Sequence, residues 1–410
     1  YFIANNGTTN ALWRTDGTTD GTIEVMPSVT NGISDAGYST TDAENLWFIN
    51  YLNNNASQQL CKSNGTVEGS FLVHSTLSYP QKLITYKGAA WFQSKDIAAL
   101  YNAEVWRSDG LSVNTGLALD IAGSSASSDP YAFFELNDKL YFFGKNGSTH
   151  NLYQYTGDFT FNGSVNNDWN NKSNWNSLLK PGMTDEVMIP SGQNIDVTAN
   201  AYAKNVTING NVNLVSGNLD LSGIMTLANS AKITLNNNSL NLKGTLSTLT
   251  GTNTSYVVTN GTGTVTVENL DTSRGTISLP IGTATNYNPV SFSNSGTSDT
   301  FSVRVSDGIS GTTNGAVNTT WEIAEATIGG SNVNLNLGWN QAQENGTFDR
   351  NTAKIGHFVS GNWMQETSGA VSGSNPYTLL GTGISSFSPF SVMNFSALSV
   401  SDFNESKMAI

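Results

Sequence analysis

The stretch KNVTINGNVNLVSGNLDLSGIMTL, Lys204 to Leu227, decides the fold. It is a chain of apolar-polar-apolar triplets: Val206–Ile208, Val212–Leu214, Leu219–Leu221 and Met225–Leu227, continued by Ile233–Leu235 and Leu240–Leu242. Breaks come after them at Asn209-Gly210, Ser216-Gly217, Ser222-Gly223 and Lys243-Gly244. Side chains alternate between the two faces of a strand, so each triplet puts two apolar groups on one side and a polar group on the other. Steps of six to eight residues are short for a stack of long hairpins. They suit a β-solenoid with three short strands in each coil of about 20 residues. An antiparallel sheet of short strands gives the same alternation and stays open at this stage. The solenoid-like domain is expected over 158–276, with a cap in NNDWNNKSNWN (Asn166–Asn176) and PGMTDEVMIPSGQNIDV (Pro181–Val197). Asn236, Asn237 and Asn238 read as a corner, because asparagine tolerates left-handed backbone.

Upstream, a longer period appears. ALWRTDGTTDGT (Ala11–Thr22) returns as QLCKSNGTVEGS from Gln59, EVWRSDGLSVNTG from Glu104 and NLYQYTG from Asn151. Trp13, Cys61, Trp106 and Tyr153 hold equivalent places, 48, 45 and 47 residues apart. An aromatic series at Tyr1, Leu46, Ala90 and Leu140 keeps the same beat. Units of about 45 residues match a four-stranded propeller blade. Residues 1–157 are therefore expected to form propeller-like repeats, with Trp13, Trp47, Trp91 and Trp106 between blades. Three or four units are too few to close a ring, so either more blades lie upstream, as Tyr1 already sitting in a repeat strand suggests, or the array stays open. Asp16-Gly17, Asn64-Gly65 and Asp109-Gly110 read as two-residue hairpin turns of type I′.

Downstream, strands recur at TFSVRVSDG (from Thr300), NTTWEIAE (Asn318), NVNLNLGW (Asn332), AKIGHFVSGNWMQ (Ala353) and FSPFSVMNF (Phe387). Their spacing and their Gly- and Asn-rich turns suggest a β-sandwich over 277–395, with Trp321, Trp339, Trp363 and Phe390 in its core. Residues 396–410 read as a linker. The fold class expected is all-β: propeller-like blades, a β-solenoid-like segment, then a β-sandwich.

Composition agrees. Charged residues make up 12% of the 410, while β-branched residues and turn formers abound. A net charge of −13 and scattered Lys and Arg argue against nucleic acid as a partner. Cys61 stands alone and cannot form an intrachain disulfide; a packing role is expected. No stretch of 18 apolar residues is present to cross a membrane as a helix.

Chemistry is harder to find. His74, His150 and His357 lack companions at zinc-ligand spacing. No Gly-x-Ser-x-Gly elbow occurs. Glu322 with Glu325, and Asp185 with Glu186, could be drawn as glycosidase pairs, but strand residues one or three apart face opposite ways. No catalytic residue is assigned. Asp16, Asp20 and Asp109 are the candidate calcium ligands, although turn formation explains Asp-Gly without a metal; no other cofactor is implied. Trp169 and Trp175 are the candidate glycan-stacking residues, against a competing role in capping the solenoid core.

The motif LWRTDGTTDGT (Leu12–Thr22) resembles the Leu-Trp-x-x-Asp-Gly-Thr-x-x-Gly-Thr repeats of large secreted Bacteroidota surface proteins. Residues 60–70 keep to it with Cys for Trp and Asn for Asp, and 105–116 keep to its first half. Asn166 to Val392 is similar in pattern to later modules of such proteins. The resemblance implies a propeller-like extracellular array without catalysis. It also implies that the tail ALSVSDFNESKMAI (Ala397–Ile410) leads into a C-terminal sorting domain of the type 9 secretion system, whose opening Tyr-Pro-Asn-Pro turn the chain lacks. Thr272 in DTS and Thr300 in DTF resemble the O-glycosylation sites of Bacteroidota exported proteins.

The function expected is a non-enzymatic modular protein of the outer cell surface or medium: an adhesin, stalk or surface-assembly component. Its expected partners are the type 9 secretion machinery and outer-membrane proteins, a glycan or other surface ligand, and copies of itself. The alternative is a carbohydrate-binding accessory region of a secreted polysaccharide-degrading enzyme.

Overall fold

The computed structural model describes residues 1–26, 33, 36–51, 58–95, 103–123, 126–155, 157, 159–177, 179–311 and 314–395. The linker expected at 396–410 lies outside them. The protein is all-β, with 54% strand and 2% helix, and contains a β-solenoid of about five turns. The chain forms two compact units, one of 1–159 with 177–185, the other of 160–176 with 186–410. The boundary expected at 276/277 thus falls inside the second unit.

In the second unit, three parallel ladders build the solenoid. One face comprises Glu186–Ile189, Asn205–Ile208, Ile224–Leu227 and Thr248–Thr250. The next comprises Asn194–Val197, Asn211–Leu214, Lys232–Thr234, Tyr256–Val258 and Ile281–Gly282. The third comprises Ala201–Ala203, Leu219–Leu221, Leu240–Leu242 and Val265–Leu270. Register places like upon like. Ile195, Val212, Ile233, Val257 and Ile281 form one buried column, and Ala203, Leu221, Leu242 and Val267 another. Each fully buried aliphatic side chain contributes roughly 1.5–3 kcal/mol against exposure. The breaks are set by crowding between coils: a Cβ on Gly217 would lie 2.1 Å from the backbone carbon of Ala199.

The middle residue of each triplet faces outward, and there and at the corner after Leu235 polar side chains bond from one coil to the next. Asn260 donates to Asn236 at 3.0 Å, Asn236 to Asn213 at 2.7 Å, and Asn213 to Asp196 at 3.1 Å. An amide carries both donor and acceptor, so it can repeat in such a ladder, whereas a row of carboxylates would repel. Of the three corner asparagines, Asn236 adopts the left-handed backbone, at φ 53°.

The third face does not end with the solenoid. Val265–Leu270 is parallel to Leu240–Leu242 on one side and antiparallel to Asp299–Asp307 on the other. The sheet continues through Thr319–Glu325, Pro389–Asn394, Ala353–Val359 and Asn362–Gln365. A separate antiparallel sheet holds Ile277–Leu279, Val290–Asn294, Val333–Trp339, Tyr377–Ile384 and Ser372–Gly373. Phe292 of this sheet and Phe301 of the first meet edge to face at 5.8 Å. Trp321, Trp339 and Phe390 are fully buried, as expected. Trp363 is not in the core; it lies half-buried on the edge strand Asn362–Gln365.

The first unit is built from antiparallel meanders. Three strands, Phe2–Asn5, Asn10–Arg14 and Ile23–Met26, make one sheet. A seven-stranded sheet comes next, from Ala36–Thr41 to Gly116–Leu119, with the 17-residue strand Ser70–Tyr86 at its centre. Tyr131–Leu136, Lys139–Asn146 and Thr149–Tyr155 form the last sheet. Cys61 packs fully buried with Leu12, Val25, Met26 and Phe48, and burial pushes its thiol up to about 12. Trp47 and Trp91 are buried, while Trp13 and Trp106 are partly exposed.

Candidate functional site

The repeated Asp-Gly motifs are closed loops held by side chains. The expected two-residue hairpins do not form: Arg14 pairs with Ile23 and Ser63 with Ser70, leaving longer connections. Gly17 has φ 94° and Gly65 φ 86°, but neither Asp16 nor Asn64 is left-handed, so type I′ geometry is excluded. Instead Asp16 Oδ1 accepts the amide of Thr18 at 2.9 Å and its hydroxyl at 2.7 Å. Thr18 Oγ1 accepts the Gly21 amide, Thr22 Oγ1 donates to the Thr18 carbonyl, and Thr15 and Thr22 share a hydrogen bond. The second repeat reproduces this set with Asn64, Thr66, Gly69, Ser70 and Ser63. In these two loops Thr18 and Thr66 supply the hydroxyl, and the Asp or Asn side chain occupies the space that a Cβ on Gly21 or Gly69 would need.

These bonds define what the calcium candidates do. Asp16 Oδ1 is engaged by Thr18, and hydrogen bonds hold the fully exposed carboxyl below its ordinary range. Asp20 is exposed on the same loop. Asp109 is buried and accepts from Leu111, Asn114 and Met183. Among the described residues, no group of three or more His, Cys, Asp or Glu is arranged to hold a metal ion.

The third repeat is also the docking point of 177–185. Arg107 Nη2 reaches both oxygens of Asp185, at 2.6 and 2.7 Å, and donates to Thr184 Oγ1. Both ionic side chains are under 9% exposed. The guanidinium also lies over the Trp91 and Phe159 rings. Asp185 therefore belongs to a buried ion pair, while Glu186 is exposed and bonds Asn205 at 2.8 Å.

Trp169 and Trp175 are both 0% exposed. Their rings meet edge to face at 4.9 Å, and Phe161 stands against Trp175 at 5.2 Å. Trp175 Nε1 donates to the Trp169 carbonyl at 2.8 Å. Neither ring offers a face to a sugar. They cover the end of the solenoid beside Asp196, whose backbone bonds Asn167 and Trp169. Asn174 organises this cap, and no sequence pattern singles it out. It is fully buried, accepts from the amides of Val165 and Asn166, and donates to Asn166 Oδ1 and the Asp168 carbonyl.

Of the modification candidates, Thr272 is exposed in a turn, and Thr300 is partly exposed at the start of strand Asp299–Asp307. Glu322 pairs with Arg304, whereas Glu325 accepts from Gly329 and Ser331, so the two acids serve different neighbours. His357 is buried, stacked on Phe390 at 4.4 Å and bonded through Nδ1 to Glu366.

One open concavity on the second unit combines an aromatic face with polar side chains. Trp363, Phe358, Pro389, Glu322, Thr320 and Asp307 line it, with the 308–310 backbone as a wall. Compared with protein-family models, curated proteins and solved structures, the chain matches none.

Proposed function

We propose that the chain is a non-enzymatic scaffold region of a secreted or outer-surface protein exported by the type 9 secretion system. The observation that carries the scaffold reading is the ladder from Asn260 through Asn236 and Asn213 to Asp196. Its polar side chains are spent on joining one coil to the next. The closed loops at Asp16 and Asn64 use their polar atoms in the same way.

In this reading the first unit is an array of propeller-like blades. The seven-stranded sheet is two four-stranded meanders sharing strand Ser70–Tyr86, as when one blade's last strand runs into the next blade's first. Trp47, Leu60, Val73, Ala90 and Phe92 pack across that junction. The two antiparallel sheets of the second unit form a sandwich whose inner faces meet at Phe292 and Phe301. The export assignment rests on the motif resemblance alone.

Immunolabelling of intact cells that express the full-length product tests the localisation. Surface signal is expected; signal only after permeabilisation overturns it. Turnover of polysaccharide substrates by the purified chain would overturn the non-enzymatic reading. A second reading, a carbohydrate-binding accessory region, is favoured by one observation, the exposed concavity beside Trp363.

A further inference from the structure

The concavity arises from register. Across the nine-stranded sheet, Val305 pairs with Trp321, Trp321 with Phe390, and Phe390 with His357. Trp321, Phe390 and His357 are buried, so this row faces inward. One residue along each strand, the side chains point the other way. Arg304 pairs with Glu322, Glu322 with Pro389, and Phe358 with Trp363. The outward row therefore runs from an ion pair, over a proline, to two aromatics at the sheet edge.

The Trp363 ring is fixed there. Its Nε1 donates to the Ser310 carbonyl at 2.8 Å, which ties the edge strand to the loop after Asp307. Phe358 supports it at 5.0 Å between centroids. Thr320 Oγ1 holds the same loop by donating to the Gly308 carbonyl at 2.7 Å. The concavity holds about 380 Å³, within the range of small-ligand sites. A tryptophan already immobilised loses little rotamer freedom when a ligand stacks on it.

The polar lining selects the ligand. Glu322 uses one oxygen on Arg304. Its carboxylate keeps an oxygen that can accept from a hydroxyl, while Ser306 and Thr320 add hydroxyls. A ring with an apolar C–H face and a rim of hydroxyls satisfies both halves of this lining. The Glu322 carboxylate, on a chain of net charge −13, disfavours a ligand that is itself an anion.

We propose that this concavity binds a pyranose unit of a neutral glycan, with Trp363 as the stacking platform and Glu322 as a hydroxyl acceptor. The inference deepens the carbohydrate-binding reading and rests on it; it is independent of export and of the scaffold assignment, which localisation tests separately. The test is calorimetric titration of the full chain with neutral oligosaccharides of glucose, galactose, mannose and xylose, and with oligogalacturonate as the anionic control. At least one neutral series should bind. Trp363→Ala should weaken that binding by about tenfold or more, with Trp363→Phe intermediate. Glu322→Gln should weaken it while leaving the stacking face intact. Melting curves of each variant identify any that fail to fold, and Trp363→Phe with Glu322→Gln then carry the test. The proposal is overturned if no neutral series binds, if oligogalacturonate binds more tightly, or if folded variants bind like the parent.

Discussion

Gly21 lies so close to Asp16 that a Cβ placed on it would be 2.0 Å from the carboxylate Oδ1. The same relation holds between Gly69 and Asn64, at 1.9 Å. In these two loops, closure depends on the absence of a side chain at Gly21 and Gly69. Gly69→Ala should therefore cost on the order of 1–3 kcal/mol, as expected when a special backbone site is overfilled. Asn64→Ala in the same background opens the space but loses the bonds to Thr66, so it should recover only part. Chemical denaturation of the two variants and their combination checks this; an additive pair would refute the steric coupling.

Breaking the Arg107–Asp185 pair should be far worse than replacing it. Arg107→Met leaves a buried carboxylate facing apolar surroundings and should cost roughly 3–5 kcal/mol. Combining it with Asp185→Leu removes the stranded charge and should return most of that loss. A double-mutant cycle by urea unfolding measures the difference. Limited proteolysis within 177–185 should accelerate in the single variant.

The cap at Asn174 sets the stability of the first coil. Asn174→Ala removes four hydrogen bonds at a fully buried position and strands the Val165 and Asn166 amides. Each hydrogen bond lost in this way costs about 0.5–1.5 kcal/mol. Trp175→Ala should cost roughly 3–5 kcal/mol through the cavity it opens. Hydrogen exchange should quicken first at Glu186–Val197 and last in the antiparallel sheets.

Acid should weaken the first unit through Asp42. Burial would raise its carboxyl, but the amide of Glu44, the Trp47 indole and Asn45 together hold it below the usual value of 3.8. A depressed folded value means the stabilisation is complete above the unfolded value of ~3.9 and disappears as pH falls through the lower folded one. Asp42→Asn should cost about 1 kcal/mol at neutral pH and flatten the stability decline below pH ~4. Melting temperature against pH for both proteins reads the change.

The solenoid is legible in the sequence because its triplets carry the two-residue period and its breaks recur at short intervals. The sheets C-terminal to it are less so. The period is the same in parallel and antiparallel strands, so nothing in VTVENL (Val265–Leu270) announces that one edge pairs each way. Trp363 reads as core by size alone. The signal against that lies beside it: Asn362, Met364 and Gln365 are exposed, as suits a short edge strand after the Ser360-Gly361 turn. The Asp-Gly loops read as hairpins from two residues, whereas the information lies in eight. Asn174 resembles its polar neighbours, and only coordinates separate a buried hub from a surface amide. The docking of 177–185 depends on Arg107, distant in sequence, and no local pattern reports it.

Strand Val265–Leu270 gives up both of its edges, one to the coil before and one to the antiparallel strand Asp299–Asp307 after. A fragment cut near residue 276 would therefore carry a raw hydrogen-bonding border, ready to recruit another chain. The coils and the sheets beyond them are expected to melt as one block, and the natural place to divide this protein is not where its rhythm changes.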